Sequence, residues 1–211
     1  MRAPTLHEHF ADLDKQTHAA RFGMWIFLGS EAMLFTGLFA LYAAYRVMYP
    51  VEFAIAVAHN NLAIGTINLF ILLTASFTAM MGLLAVRAAR FPRAAVLFLF
   101  TALAGVVFLG LKGVEYFQHF QEGIFPGPAY HYAELPSRGA NVFFTLYYYS
   151  TGLHALHLVA GIVLMLWVAW GTYRGLYSPA NQIRVENSVL YWHMVDIFWM
   201  FLWPLFYLTR L

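Results

Sequence analysis

The chain has 211 residues, of which 62% are hydrophobic and only 10% charged, with a net charge of +2 and no cysteine. Soluble domains carry roughly 25% charged residues, so this composition excludes an ordinary soluble domain and points to lipid as part of the solvent. The absent cysteines exclude disulfides, thiolate nucleophiles and cysteine metal sites, and with no basic run or stripe no nucleic-acid partner is expected.

In chain order, residues 1–21 are polar and mixed in charge. They lack the apolar core of a removable signal peptide. They are read as a cytoplasmic extramembrane segment, with an amphipathic turn around His9 to His18. Residues 22–211 are read as one transmembrane domain. A spanning helix needs about 20 mostly apolar residues, and five stretches qualify, at about 22–47, 62–87, 94–120, 140–173 and 186–208. Membrane strands alternate over about ten residues, whereas these runs are apolar on every face. The fold class expected is therefore all-α, an integral membrane bundle of five helices.

The connections are short. Pro92 in "RAARFPR" suits a helix start, and "EGIFPGPAYHYAELPSRG" reads as an ordered or irregular loop. Alanines 75 and 79, and glycines 171 and 175, stand at helix-contact spacing. Lys and Arg divide eight to three between the two sides when Lys112, inside a span, is left out. The excess lies with the leader and the second and fourth connections. That places the N-terminus in the cytoplasm and the C-terminus outside, in the periplasm.

Ionisable residues inside lipid cost about 2.5–3.5 kcal/mol each at mid-bilayer, so they require partners or a function. Glu31 falls roughly 15 Å into the first span. It reads either as a proton-exchanging or lipid-contacting carboxylate or as a hydrogen-bonded packing group. Glu115 follows Lys112 by three residues on one helix face, as a structural ion pair near the outer membrane surface would; His119 continues that face. His154 and His157 lie together on one side of the fourth span. A haem between them is poorly supplied, because one helix cannot give both axial ligands and only His193 lies at similar depth elsewhere. Interhelical hydrogen bonding is the expectation. In the fifth span Glu186, His193 and Asp196 share a stripe with Trp192 and Trp199. Asp196 is expected to fix the tautomer of a histidine, in a polar seam or a proton path. Pro204 is expected to bend the last turns.

Several stretches together resemble subunit III of the haem–copper oxidases, the cytochrome c oxidase type. They are "RFGMWIFLGSEAMLFTGLFALYAAYR", "INLFILLTASFTAMMG", "GVVFLGLKGVEYFQHF", "FFTLYYYSTGLHALHLVAGIVLML" and "VENSVLYWHMVDIFWMFLWPLFYL". Order and spacing match from about residue 20 onward. The resemblance implies a five-helix form, lacking the first two helices of seven-helix members. It implies no haem, copper or other metal in this chain, haem and copper in partner subunits, and room for phospholipid. Its direct partner would be subunit I, with other oxidase subunits and a respiratory supercomplex beyond, in a bacterial inner membrane. The implied role is non-catalytic: stabilising the catalytic subunit and supporting proton uptake. Glu31 matches the family's buried, carbodiimide-reactive carboxylate. Glu115, His154, His157, Glu186, His193 and Asp196 match its intramembrane polar positions. Accessory subunits of nitric oxide reductase or of a quinol oxidase, and a haem cytochrome using His154, His157 and His193, are the alternatives.

Overall fold

A computed structural model describes residues 10–209. Six α-helices follow one another: α1 (Leu13–Met48), α2 (Pro50–His59), α3 (Leu62–Arg87), α4 (Phe91–Gln121), α5 (Arg138–Tyr173) and α6 (Ile183–Trp203). Five are long and apolar enough to cross a membrane, and α2 is a shorter apolar helix. No strand occurs among the described residues.

Helices α3 to α6 form a four-membered ring in which each packs on the next and α6 closes back on α3, while α1 lies outside against α5 and α6. Lipid removes the hydrophobic drive between helices, so close approach and polar contacts must hold them. Small residues supply the approach. A Cβ on Gly105 of α4 would lie 2.8 Å from Ile162 and 2.9 Å from Trp192, so only glycine lets α4, α5 and α6 meet around that indole. Ala75 and Ala79 are fully buried on α3, and Thr101 of α4 reaches the Ala75 carbonyl. That pair is a helix contact. Gly171 and Gly175 are not: Gly171 makes room for the Tyr177 ring. Gly175, at φ +68°, ends α5 with the paired backbone bonds of a Schellman turn.

Three local features depart from the sequence expectation. Helix α1 starts at Leu13, capped by the Asp12 side chain accepting from the Lys15 amide at 2.7 Å. The residues up to Arg21 therefore extend the first helix past its apolar stretch. Of the expected amphipathic turn, His9 lies outside the described residues, and His18 lies on α1. Helix α2 was not anticipated; Phe53, Ala56 and Val57 bury completely, and it packs against α5. Finally, at Pro204, where a bend was expected, α6 passes into a π-helical segment, Pro204–Leu208.

Carbonyls at a helix end lack intrahelical donors, and lipid offers none. Side chains supply them here. Tyr42 donates to the Leu205 carbonyl at 2.6 Å, Asn60 to Phe206 at 2.9 Å and Arg46 to Thr209 at 2.9 Å. The loop between α4 and α5 is held by side-chain bonds to α5 and within itself. Tyr148 and Thr145 of α5 bond to Ile124 and Gly127, and Tyr130 donates to the Leu135 carbonyl at 2.8 Å. Burial pushes the Tyr130 hydroxyl up to about 12, so it remains a donor at neutral pH.

Candidate functional site

Polar side chains gather at three depths. At the end formed by the start of α1, the end of α3 and the start of α6, Glu186 takes Arg21 at 2.7 Å and Arg87 at 3.1 Å. The carboxylate is nearly buried and the two guanidinium groups are about half exposed. Glu186 stands in the first turn of α6, where a negative charge also suits the helix dipole. On the stripe shared with His193 and Asp196, Glu186 has partners of its own on α1 and α3 and acts as a three-helix clasp at the bundle's end.

Deeper, Glu31 of α1 meets His157 of α5, with Oε2 2.9 Å from Nε2. His157 Nδ1 lies 2.8 Å from the Leu153 carbonyl, which can only accept, so Nδ1 carries a hydrogen. Nε2 then either accepts from a protonated Glu31 or, as imidazolium, donates to an ionised one. In both states one proton lies between the two residues. The arrangement can hold and hand on a proton.

His154 does not join this pair. It is completely buried, makes no hydrogen bond to protein, and fills an aromatic slot with ring centroids 5.5 Å from Phe108 and 5.1 Å from Trp199. The two histidines of the fourth span thus point to different neighbours, and only His157 makes the expected interhelical bond. Asp196 also departs from expectation. Its Oδ2 accepts from Ser76 of α3 at 2.8 Å, with no hydrogen bond to a histidine. His193 instead donates through Nδ1 to the Val189 carbonyl, 2.7 Å away on its own helix. A side-chain hydroxyl on the facing helix was the nearer partner, because residues three apart on one helix project along it.

Towards the other end, Lys112 and Glu115 form the ion pair expected from their spacing, at 2.8 Å. The pair is enclosed by protein: the side chains are only 4% and 1% exposed. Burying a charge pair is favourable only when its remaining donors and acceptors are met. Lys112 uses its other two protons on Tyr147 at 2.7 Å and Tyr207 at 2.6 Å. Tyr207 in turn donates to Glu115 at 2.8 Å. The ammonium also lies 4.4 Å from the Tyr147 ring centroid and 5.2 Å from that of Trp199. This cluster ties α4, α5 and the π-helical segment together. The tyrosines were missed from sequence, as were Arg21, Arg87 and Ser76. A tyrosine after a proline in a span, or a serine midway along one, was the signal available.

No three His, Asp or Glu side chains among the described residues stand close enough to share a metal ion. The fold and these sites define a multi-pass helical membrane protein with paired titratable groups at three depths. The sequence matches the cytochrome c oxidase subunit III family over residues 6–210. It is 33% identical over 188 residues to cytochrome c oxidase subunit 3 of Synechocystis sp., covering 89% of this chain and 74% of the relative. It is 34% identical over 191 residues to the subunit 3 of Thermostichus vulcanus, covering 89% and 87%. A probable cytochrome c oxidase subunit 3 of Nocardia farcinica is 28% identical over 188 residues, covering 89% and 87%. The chain belongs to the cytochrome c oxidase subunit III family, and so to the subunits of the respiratory terminal oxidases.

Proposed function

We propose that this chain is a non-catalytic subunit that packs on the haem- and copper-bearing subunit I, steadies it and supports proton uptake at the cytoplasmic face of a bacterial inner membrane. The observation that carries the proposal is the Glu31–His157 pair. A carboxyl and an imidazole sharing one proton, on the least enclosed span, form a small proton reservoir open to neighbours. Glu31 remains 20% exposed at its side chain, which leaves it reachable. The same helix exposes Phe22, Trp25 and Met33, an apolar face suited to lipid or to helices of a larger subunit.

The end with Arg21, Arg87, Arg90, Arg93, Arg174 and Arg184 is assigned to the cytoplasm, by the bias of basic residues towards that side. The α2 end, with the loop between α4 and α5, then faces the periplasm. Other oxidase subunits would complete the assembly, and phospholipid would fill the remaining apolar surface.

Carbodiimide modification of the purified complex tests the role of Glu31, because the reagent attacks a protonated carboxyl. Glu31 should be labelled in the parent complex, and Glu31→Gln should abolish that labelling. His157→Phe should change its pH profile by removing the shared proton. Labelling that persists in Glu31→Gln would overturn the assignment.

A further inference from the structure

Along α4 and its C-cap, Lys112, Glu115, His119 and Glu122 recur at intervals of three and four residues, which places them on one helix face. That face runs from the interior to the loop. Lys112, Glu115 and His119 are buried, at 3%, 1% and 4% exposure, whereas Glu122 is exposed. At the exposed end the Glu122 carboxylate lies 2.6 Å from Nε2 of His59, on α2. Nδ1 of the same ring lies 3.3 Å from the Tyr132 hydroxyl, which donates to Glu134.

His119 occupies the gap between this wet pair and the dry cluster. Its ring centroid is 5.8 Å from His59 on one side and 5.5 Å from Tyr147 on the other. Tyr147 is the residue that holds Lys112. The Nδ1 of His119 is buried and makes no hydrogen bond to protein. Leaving a buried polar atom unmet costs about 1–3 kcal/mol. A phenylalanine would fill the same slot without that cost. What the imidazole adds is a site for a proton between two other such sites.

We propose that His59 and His119 form a proton-exchange branch joining the water at the α4–α5 loop to the Lys112–Glu115 pair. A proton taken up by His59 makes an imidazolium beside Glu122. Its transfer to His119, through ring reorientation or one bridging water, returns His59 to neutral and places the positive charge one turn from Glu115. Facing the two rings are Glu115 and Lys112 from α4, Glu122 from its C-cap, Glu134 with Tyr132 from the loop, and Tyr147 and Tyr148 from α5. Charge arriving at His119 attracts Glu115 and repels Lys112, so acid on this face loosens their bond. Past Lys112 the path meets Trp199 and the slot of His154. The branch is blind, and it stores a proton from one face instead of carrying it across.

The test uses the intact oxidase complex in vesicles, with glutamate labelled by carbon-13 and followed by infrared spectroscopy. The Glu115 carboxylate band is identified by its loss in Glu115→Gln or its shift in Glu115→Asp. Stepping the pH from 8 to 5.5 on the loop side should shift that band, and the same step on the opposite side should not. His119→Phe should abolish the response, and His59→Gln should slow it at least tenfold. A Glu115 band that ignores loop-side pH would overturn the proposal. So would a response that survives unchanged in the histidine variants. Should His119→Phe fail to assemble, the rate in His59→Gln, at a partly exposed position, decides alone.

Discussion

Helices α1 and α6 both cross the membrane, yet they are held in opposite ways. On α1 the buried residues are Leu28, Phe35 and Tyr42, a seam one residue wide that repeats every seven. On α6, twelve of 21 residues are buried, including Trp192 and Trp199. A seven-residue repeat keeps these three side chains on one face of the helix. Helix α6 instead fills the space between α1, α3 and α5. The difference shows that depth of burial and placement of titratable groups are separate matters: the sparsely held α1 carries Glu31, while the densely packed bundle carries Lys112 and Glu115.

The sharpest way to break the comparison is in the dense region. Lys112→Met leaves the Glu115 carboxylate buried without its partner, and such losses cost about 3–5 kcal/mol. The complex carrying it should lose most of this subunit on purification. Adding Glu115→Leu should restore much of the yield, because an apolar pair of similar volume removes the stranded charge. Equal loss in the single and double variants would show that the ion pair itself, and not its balance, holds the bundle.

A smaller effect is expected on α1. Phe35 stacks on Phe198 at 3.9 Å and meets the His157 ring at 5.4 Å. Phe35→Ala should weaken the seam by about 3 kcal/mol. It should expose α1 to protease while α3 to α6 stay resistant. Cleavage spreading to all spans at once would show that α1 and the ring fold as one unit. The smallest effect is at the clasp. Because Arg21 and Arg87 are half exposed, Glu186→Gln should cost only about 1 kcal/mol. It should appear as a modest fall in melting temperature that high salt erases from the parent protein.

Much of this was legible in the sequence because lipid enforces simple rules. Five apolar runs became five spans, and Pro92 opened α4 as its position required. The Lys112–Glu115 pair followed from spacing along one helix. What could not be read was the partner across a helix interface. The Asp196 to Ser76 bond and the Glu186 clasp depend on which helices adjoin and at what register. Helical periodicity places a residue on a face without naming what the face meets. Helix α2 was missed for another reason: ten residues are too few to register as a span, although Phe53 and Val57 bury fully.

The π-helical segment after Pro204 bears on how the chain is made. Two of its carbonyls are met by Tyr42 and Asn60, and that of the following Thr209 by Arg46, residues that leave the ribosome long before it does. Those three groups must wait in the membrane until the last span arrives. The Tyr42 and Asn60 bonds close 163 and 146 residues of chain, so this corner of the bundle is completed only once the last span is in place. A chain lacking the residues from Pro204 onward would keep the Glu31–His157 and Phe35–Phe198 contacts of α1 and lose only the bonds of Tyr42, Arg46 and Asn60 to this segment and Thr209.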